Sequence, residues 1–280
     1  MASYLRSRQL DEALTALAAT PWAVVAGGTD FYPARVGKPL NEPVLDITGI
    51  DDLRGIRDVG DHYRIGALST WTDALRTPLP GYLDGLKLAA REVGGIQVQN
   101  AGTLVGNVCN ASPAADGIPN WLALDARVEL ASVGRHRTMP VVEFITGNRR
   151  TRRRRDELVT ALLVPKLPAE SRGRFLKLGA RHYLVISIVM VAGVLIPDGQ
   201  RVGDLRVTVG SCSAVARRQP HLEAALRGQP LAGLDTRPEA ALLSDLEPID
   251  DCRATAEYRR EAALILVRRL LRQLVGGGNG

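Results

Sequence analysis

Two glycine-rich segments hold the residues best suited to bind an anionic ligand. The first, VVAGGTDFYP (24–33), runs an apolar strand into two glycines, a threonine and an aspartate. The second, QVQNAGTLVGNVCNASPAADGIP (97–119), contains Gly102, Thr103, Gly106 and Asn107. Glycine allows close approach of the backbone, and successive free N–H groups form a concave anion site. Either segment alone is more simply explained as a structural turn.

Neither segment matches the GxGxxG dinucleotide fingerprint or the GxxxxGK[ST] phosphate loop. Their joint presence nevertheless suits a dinucleotide, because two loops can hold a pyrophosphate from both sides. Asp116 would then accept hydrogen bonds from sugar hydroxyls. Lys177 would supply positive charge, since residues 102–116 contain none. Asp30 would repel a phosphate, so we expect it to turn away and cap the segment that follows.

The cysteines and histidines predict a chain without a metal site. Cys109, Cys212 and Cys252 are far apart and form no CxxC pair. The four histidines show no HExxH spacing. Cys109 lies inside the second segment, where we interpret it as a small buried thiol.

The chain has a net charge of +6, and its most basic stretch is RRTRRRRDE (149–157). Nucleic-acid binding would combine such charge with interleaved aromatic residues, which this stretch lacks. We therefore interpret it as a solvated loop or a patch facing an acidic partner protein.

Composition is that of an ordinary globular protein, with 280 residues, 45% hydrophobic and 24% charged. No apolar run reaches the roughly 18 residues that a membrane-spanning helix needs. The N-terminal stretch reads as a folded amphipathic helix rather than a signal peptide. The cytoplasm is the expected location.

Periodicity divides the chain into three sections, 1–58, 59–168 and 169–280. The first alternates helix and short strand in a βαβ-like order, with a helix in SRQLDEALTALAAT. The second begins at strand YRIGA, before a helix capped by Ser69 or Thr70. The third has three strands, RFLKLGA, ISIVMVAGVLI and LRVTVGSCS, and a long helix ending near residue 275, before a terminal GGGNG expected to fray. The apolar stripe predicted for that helix comprises Ala262, Ile265, Leu266, Leu270 and Leu274.

Several stretches together resemble one known family. VVAGGTDFYP, GTLVGNVCNASPAAD and DELVTALLVPKLP resemble the FAD-binding medium subunit of the molybdenum hydroxylases, the xanthine dehydrogenase and carbon monoxide dehydrogenase type. FLKLGARHYLVIS and the C-terminal helix resemble its later segments, so the likeness covers nearly the whole chain. It implies an α+β protein: a two-subdomain FAD-binding fold of the p-cresol methylhydroxylase type (1–58 and 59–168), then a C-terminal α+β domain (169–280) with a three-stranded sheet.

The resemblance also implies which residues contact FAD. The first loop of the family wraps the pyrophosphate, and its second loop, an apolar residue beside the flavin and a lysine complete the site. The corresponding residues of this chain are Val24, Val25, Ala26, Gly27, Gly28, Thr29, Asp30, Phe31, Thr103, Leu104, Val105, Gly106, Asn107, Asn110, Asp116, Val159 and Lys177.

The function implied is electron transfer within a hetero-oligomer. Such a subunit takes electrons from a small [2Fe–2S] subunit and passes them to NAD+ or another acceptor. A large molybdenum-cofactor subunit is the other partner in the hetero-oligomer. The flavin carries the redox chemistry, so no residue is expected to act as a catalytic acid or base.

Three departures from the family pattern affect cofactor tuning and the choice of acceptor. Val105 replaces a glycine, Gln99 replaces an arginine, and Val185-Ile186-Ser187 replaces an Asp-Ile pair. Two other functions stay open. One is a stand-alone flavin-dependent oxidoreductase of the same fold, and the other is an assembly scaffold that has lost FAD.

Overall fold

The computed structural model describes residues 3–276, so most of the terminal GGGNG segment lies outside the described residues. The helices are α1 (Leu10–Ala19), α2 (Trp71–Arg76), α3 (Asp84–Glu92), α4 (Ile96–Ala101), α5 (Leu104–Asn110), α6 (Ile118–Ala123), α7 (Val141–Phe144), α8 (Pro220–Leu226) and α9 (Ala256–Gly276). The strands are β1 (Tyr4–Arg6), β2 (Ala23–Val25), β3 (Val44–Asp46), β4 (Ile56–Asp58), β5 (His62–Gly66), β6 (Arg127–Ser132), β7 (Arg135–Pro140), β8 (Ile145–Gly147), β9 (Arg150–Thr151), β10 (Leu158–Pro165), β11 (Arg172–Leu178), β12 (Val189–Asp198), β13 (Arg201–Gly210) and β14 (Arg217–Arg218).

The first section forms the expected βαβ unit. Its three strands are parallel in the order β1-β3-β2, and α1 connects β1 to β2. Leu14 and Leu17 bury the inner face of α1. This small sheet carries the first glycine-rich segment directly after β2.

The second section is built on an antiparallel sheet in the order β4-β5-β10-β6-β7. Strand β4, at the end of the predicted first section, pairs with β5 in this sheet. Thr70 is the cap of α2: its hydroxyl accepts from the N–H of Asp73, whose carboxylate accepts the N–H of Thr70. This capping box fixes the start of α2, where the Trp71 N–H donates to the Gly102 carbonyl of the second glycine-rich segment.

The third section contains a four-stranded antiparallel sheet, β11-β12-β13-β14, rather than the predicted three strands. The additional edge strand β14 has two residues, too few to produce an alternating pattern. Helix α9 packs across β11 and β12. The predicted stripe of α9 is buried except at Ile265, which is 57% exposed.

Two large hydrophobic cores support these sections, beside a small cluster of Ala89, Phe175, Met190 and Ala192. One joins the first two sections, through residues such as Leu45, Ile65 and Leu130, and the other lies between β12, β13, α8 and α9. Within residues 3–276, none of the helices combines the length and the apolar character needed to cross a membrane.

Candidate functional site

A cleft of about 730 Å³ is lined by residues of all three sections. The loop after β2, helices α4 and α5, the stretch around β9, strand β10 and the end of β11 each contribute to its walls. Every predicted site residue except Leu104 lines this cleft. Leu104 does not line the cleft, because its side chain is fully buried in the core.

The first loop, residues 26–31, presents an unbroken row of backbone donors at the cleft. None of the N–H groups of residues 27–31 is hydrogen-bonded within the described residues 3–276. Gly28 has a φ of +71°, which glycine adopts without strain. Consecutive free N–H groups at a concave surface form an anion site. The first loop therefore has the geometry that a pyrophosphate requires.

Gly27 is required by contact between two protein segments. A Cβ added to it would lie 1.8 Å from the carbonyl oxygen of Ala101, at the end of α4. A Cβ on Gly102 would lie 3.2 Å from the Thr29 hydroxyl oxygen. The close approach at Gly27 is thus between the first loop and the second segment, and it holds the two against each other.

The prediction that Asp30 caps the segment after it is wrong. The next helical turn, Pro33–Arg35, begins after Tyr32, which has no side-chain cap. The Asp30 side chain is exposed at the edge of the cleft. Exposure to water weakens its repulsion of a bound phosphate, so a capping role is not needed to explain it.

The second glycine-rich segment is helical rather than an open loop. Thr103 caps α5, and its hydroxyl accepts the Gly106 N–H at 2.9 Å. The Asn107 N–H donates to the Thr103 carbonyl, and the Leu104 N–H donates to the Ser69 carbonyl. These three donors are therefore occupied by protein oxygens and are not available to an anion.

Lys177 and Asp116 form a buried ion pair. The distance from Lys177 Nζ to Asp116 Oδ2 is 2.7 Å, and the side chains are 4% and 8% exposed. The Ser187 hydroxyl donates to Asp116 Oδ1 at 2.5 Å. Burial raises the pKa of the Asp116 carboxyl, whereas Lys177 and Ser187 favour its ionised form. The pair joins β11 to the second section. The positive charge of Lys177 is therefore already balanced by the Asp116 carboxylate.

Two arginines of the basic stretch, Arg149 and Arg153, line the cleft, although the sequence did not predict them as site residues. Arg149 donates to Asn110 Oδ1, and Arg153 donates to the Glu157 carbonyl oxygen. Arg149 adopts a φ of +54°, an uncommon conformation for a non-glycine residue. The available signal was their position shortly before Val159, which was already predicted to lie beside the cofactor.

Apolar side chains and one thiol complete the lining. Leu184, Val185 and Ile186 face the cleft, whereas Tyr183 is 59% exposed and lies outside it. Cys109 also lines the cleft, and burial raises the pKa of its thiol to about 11. The thiol is therefore protonated at neutral pH and unreactive.

Comparisons with known proteins agree with this geometry. Residues 1–167 match the family model of the FAD binding domain in molybdopterin dehydrogenase, and residues 174–274 match that of the CO dehydrogenase flavoprotein C-terminal domain.

Individual relatives cover nearly the whole chain. A nicotinate dehydrogenase FAD-subunit of Eubacterium barkeri is 32% identical over 92% of this chain and 91% of its own length. A putative xanthine dehydrogenase FAD-binding subunit of Escherichia coli is 29% identical over 100% of this chain and 98% of its own length. A solved carbon monoxide dehydrogenase from Hydrogenophaga pseudoflava superposes with a TM-score of 0.90 at 26% identity, covering 98% of this chain and 97% of that one. The chain belongs to the FAD-binding medium subunits of the molybdenum hydroxylase family, and it is an oxidoreductase subunit whose cofactor is FAD.

Proposed function

We propose that this chain receives electrons from a [2Fe–2S] subunit, holds them on FAD and passes them to NAD+ or another acceptor. In this proposal a large molybdenum-cofactor subunit completes the hetero-oligomer and oxidises the substrate. Relatives named as medium chains or as a subunit of a dehydrogenase complex support such an assembly. All three cysteines are free, as the reducing cytoplasm permits.

The residues of the cleft fit FAD in shape and in chemistry. FAD supplies the two-electron redox chemistry, and the protein has to bind and orient it. The free N–H row of the first loop would hold the pyrophosphate, and this row is the observation that carries the proposal. Arg149 and Arg153 would balance the phosphate charge, because Lys177 is already paired with Asp116.

The other end of the cofactor has an apolar environment available. Val159 on β10 and the side chains of Val185 and Ile186 would contact the flavin rings. Asp116 would still accept a sugar hydroxyl, since an ionised carboxylate offers about four acceptor positions and two contacts are made here. We also propose the domain division at 58/59 and 168/169, with β4 pairing across the first boundary into the sheet of the second section.

The first test is a visible absorption spectrum of the purified chain, with release and identification of any cofactor. We expect flavin bands and released FAD, or uptake of added FAD if the isolated chain has lost it. A protein that neither contains nor takes up FAD would overturn the proposal and favour the scaffold function. Reduction of the bound flavin by a co-purified [2Fe–2S] subunit would separate electron transfer from a stand-alone oxidoreductase.

A second test concerns the arginines of the cleft. We expect Arg149→Gln/Arg153→Gln to weaken FAD binding about thirtyfold, since charge-assisted hydrogen bonds contribute on the order of 1 kcal/mol each at a partly exposed site. The control is Arg57→Gln/Arg237→Gln, two exposed arginines outside the cleft lining. Equal affinities in the two double variants would assign phosphate binding to the backbone alone.

A further inference from the structure

Four exposed arginines of the basic stretch lie outside the cleft lining and form what we call the arginine surface: Arg150, Arg152, Arg154 and Arg155. None has a carboxylate within ion-pair distance among residues 3–276, and the nearby Glu157 is taken by Arg137 at 2.6 Å. The arginine surface therefore carries positive charge that the described part of the chain does not neutralise.

The arginine surface borders the cofactor cleft. Arg149 and Arg153 belong to the same short stretch and line the cleft, so the four arginines of the arginine surface alternate with them or lie directly beside them along the chain. A molecule bound to the arginine surface would therefore lie at the rim of the FAD site.

Internal contacts hold this stretch in place. Arg137 makes a two-pronged contact with the Glu157 carboxylate, at 2.6 and 2.8 Å, and donates to the Arg152 carbonyl at 3.0 Å. The Arg152 N–H donates to the Phe144 carbonyl at 2.8 Å. A fixed array of charges loses less conformational freedom on binding than a flexible one.

The composition of the surface indicates a dissociable protein partner. Residues 148–156 contain no apolar or aromatic side chain, whereas the core of a permanent interface is rich in both. Tyr183, which is exposed and lies outside the cleft, is of the residue type that a permanent interface uses instead. Four free guanidinium groups also exceed what a single phosphate group would pair with. Weak redox encounters use small, electrostatically steered contacts of this kind.

We infer that the arginine surface docks an acidic electron-carrier protein that oxidises the reduced FAD of this chain. The inference rests on the proposed function. Each reduced flavin would give one electron to each of two successive one-electron carriers and release its two protons to water. The carboxylates of the carrier would pair with the four guanidinium groups.

The test is the rate at which the photoreduced, FAD-loaded chain is oxidised by an acidic carrier without oxygen. The probe is a Rieske-type [2Fe–2S] ferredoxin of net negative charge, whose potential of roughly −150 to +300 mV makes it an electron acceptor. Replacing all four residues of the arginine surface with glutamine should lower the second-order rate constant at least tenfold at low ionic strength, within the 10–10³ range of electrostatic steering. The rate at saturating carrier should not change, and added salt should bring the unmodified chain down to the variant.

A matched variant separates local docking from overall charge. Arg57, Arg237, Arg260 and Arg269 are exposed arginines elsewhere, and changing them to glutamine removes the same four charges from the net +6. Equal rate losses in both variants, or no loss in either, would overturn the inference. So would a loss confined to NADP+ as acceptor, which would assign the arginines to a nucleotide. The flavin spectrum of each variant shows separately whether FAD binding, and with it the proposed function, has failed.

Discussion

The two glycine-rich segments of the cleft use the same residue types for different purposes. In residues 26–31 the N–H groups of five consecutive residues have no partner within the described chain. In residues 102–107 the N–H groups of Leu104, Gly106 and Asn107 are bonded to protein oxygens. The first segment is free to bind an anion through its backbone, and the second is a supporting structure.

This difference assigns separate roles to residues that lie close together. Gly27 contacts the end of α4, so the second segment holds the first in position. Asp116, just beyond α5, is bonded to Lys177 and Ser187 of the C-terminal section. Mutations in the second segment should therefore affect mainly stability, and mutations in the first should affect mainly FAD affinity.

The largest effect is expected at the buried ion pair. Lys177→Met should lower the free energy of unfolding by about 3–5 kcal/mol, because it leaves the Asp116 carboxylate buried without its partner. Urea unfolding of the purified chain measures this change.

The double variant Lys177→Met/Asp116→Asn provides the control. It should lose clearly less stability than the two single variants added together, because no uncompensated charge remains. If Lys177→Met instead keeps full stability and loses only FAD, then the lysine serves the cofactor directly, and the division between the two segments is wrong.

Gly27→Ala should have the next largest effect, and it acts on both segments at once. Its Cβ would meet the Ala101 carbonyl oxygen at 1.8 Å, so the first loop must shift away from α4. We expect a loss of about 1–3 kcal/mol in the free energy of unfolding, as for other overpacked sites. FAD affinity, followed by flavin fluorescence, should fall as well.

Gly81→Ala is the matched substitution, since its added Cβ would find its nearest neighbour at an ordinary 3.6 Å. It should change both quantities only slightly. An unchanged FAD affinity in Gly27→Ala would mean that the contact between the segments does not position the first loop.

Sequence patterns predicted the elements whose signals are local. Thr70 could be recognised as a cap because the polar residue and the helix it starts are adjacent in the chain. The stripe of α9 follows from a 3.6-residue period, although that period placed exposed Ile265 on its edge. Strand β14 gave no signal because two residues are too few to show a period. The strand is defined only by its pairing with β13.

The site was harder to predict, because glycine and threonine occur both in helix caps and in anion-binding loops. The helical state of residues 104–110 decides that the Thr103 hydroxyl accepts the Gly106 N–H. The direction of each arginine in 149–155 depends on how the stretch is anchored by Arg137 and Glu157, which lie outside it. Neither fact is contained in the pattern of the segment itself.

The smallest and most selective effects are expected at the two threonines. Thr103→Val removes the cap of α5 and should cost about 1 kcal/mol of unfolding free energy, with FAD affinity changed less than twofold. Thr29→Val should leave stability within about 0.5 kcal/mol but weaken FAD about fivefold, the equivalent of one hydrogen bond of about 1 kcal/mol. Valine matches threonine in shape, so each substitution removes little more than a hydroxyl. If both variants lose stability and affinity in parallel, the two segments act as a single unit and the contrast between them disappears.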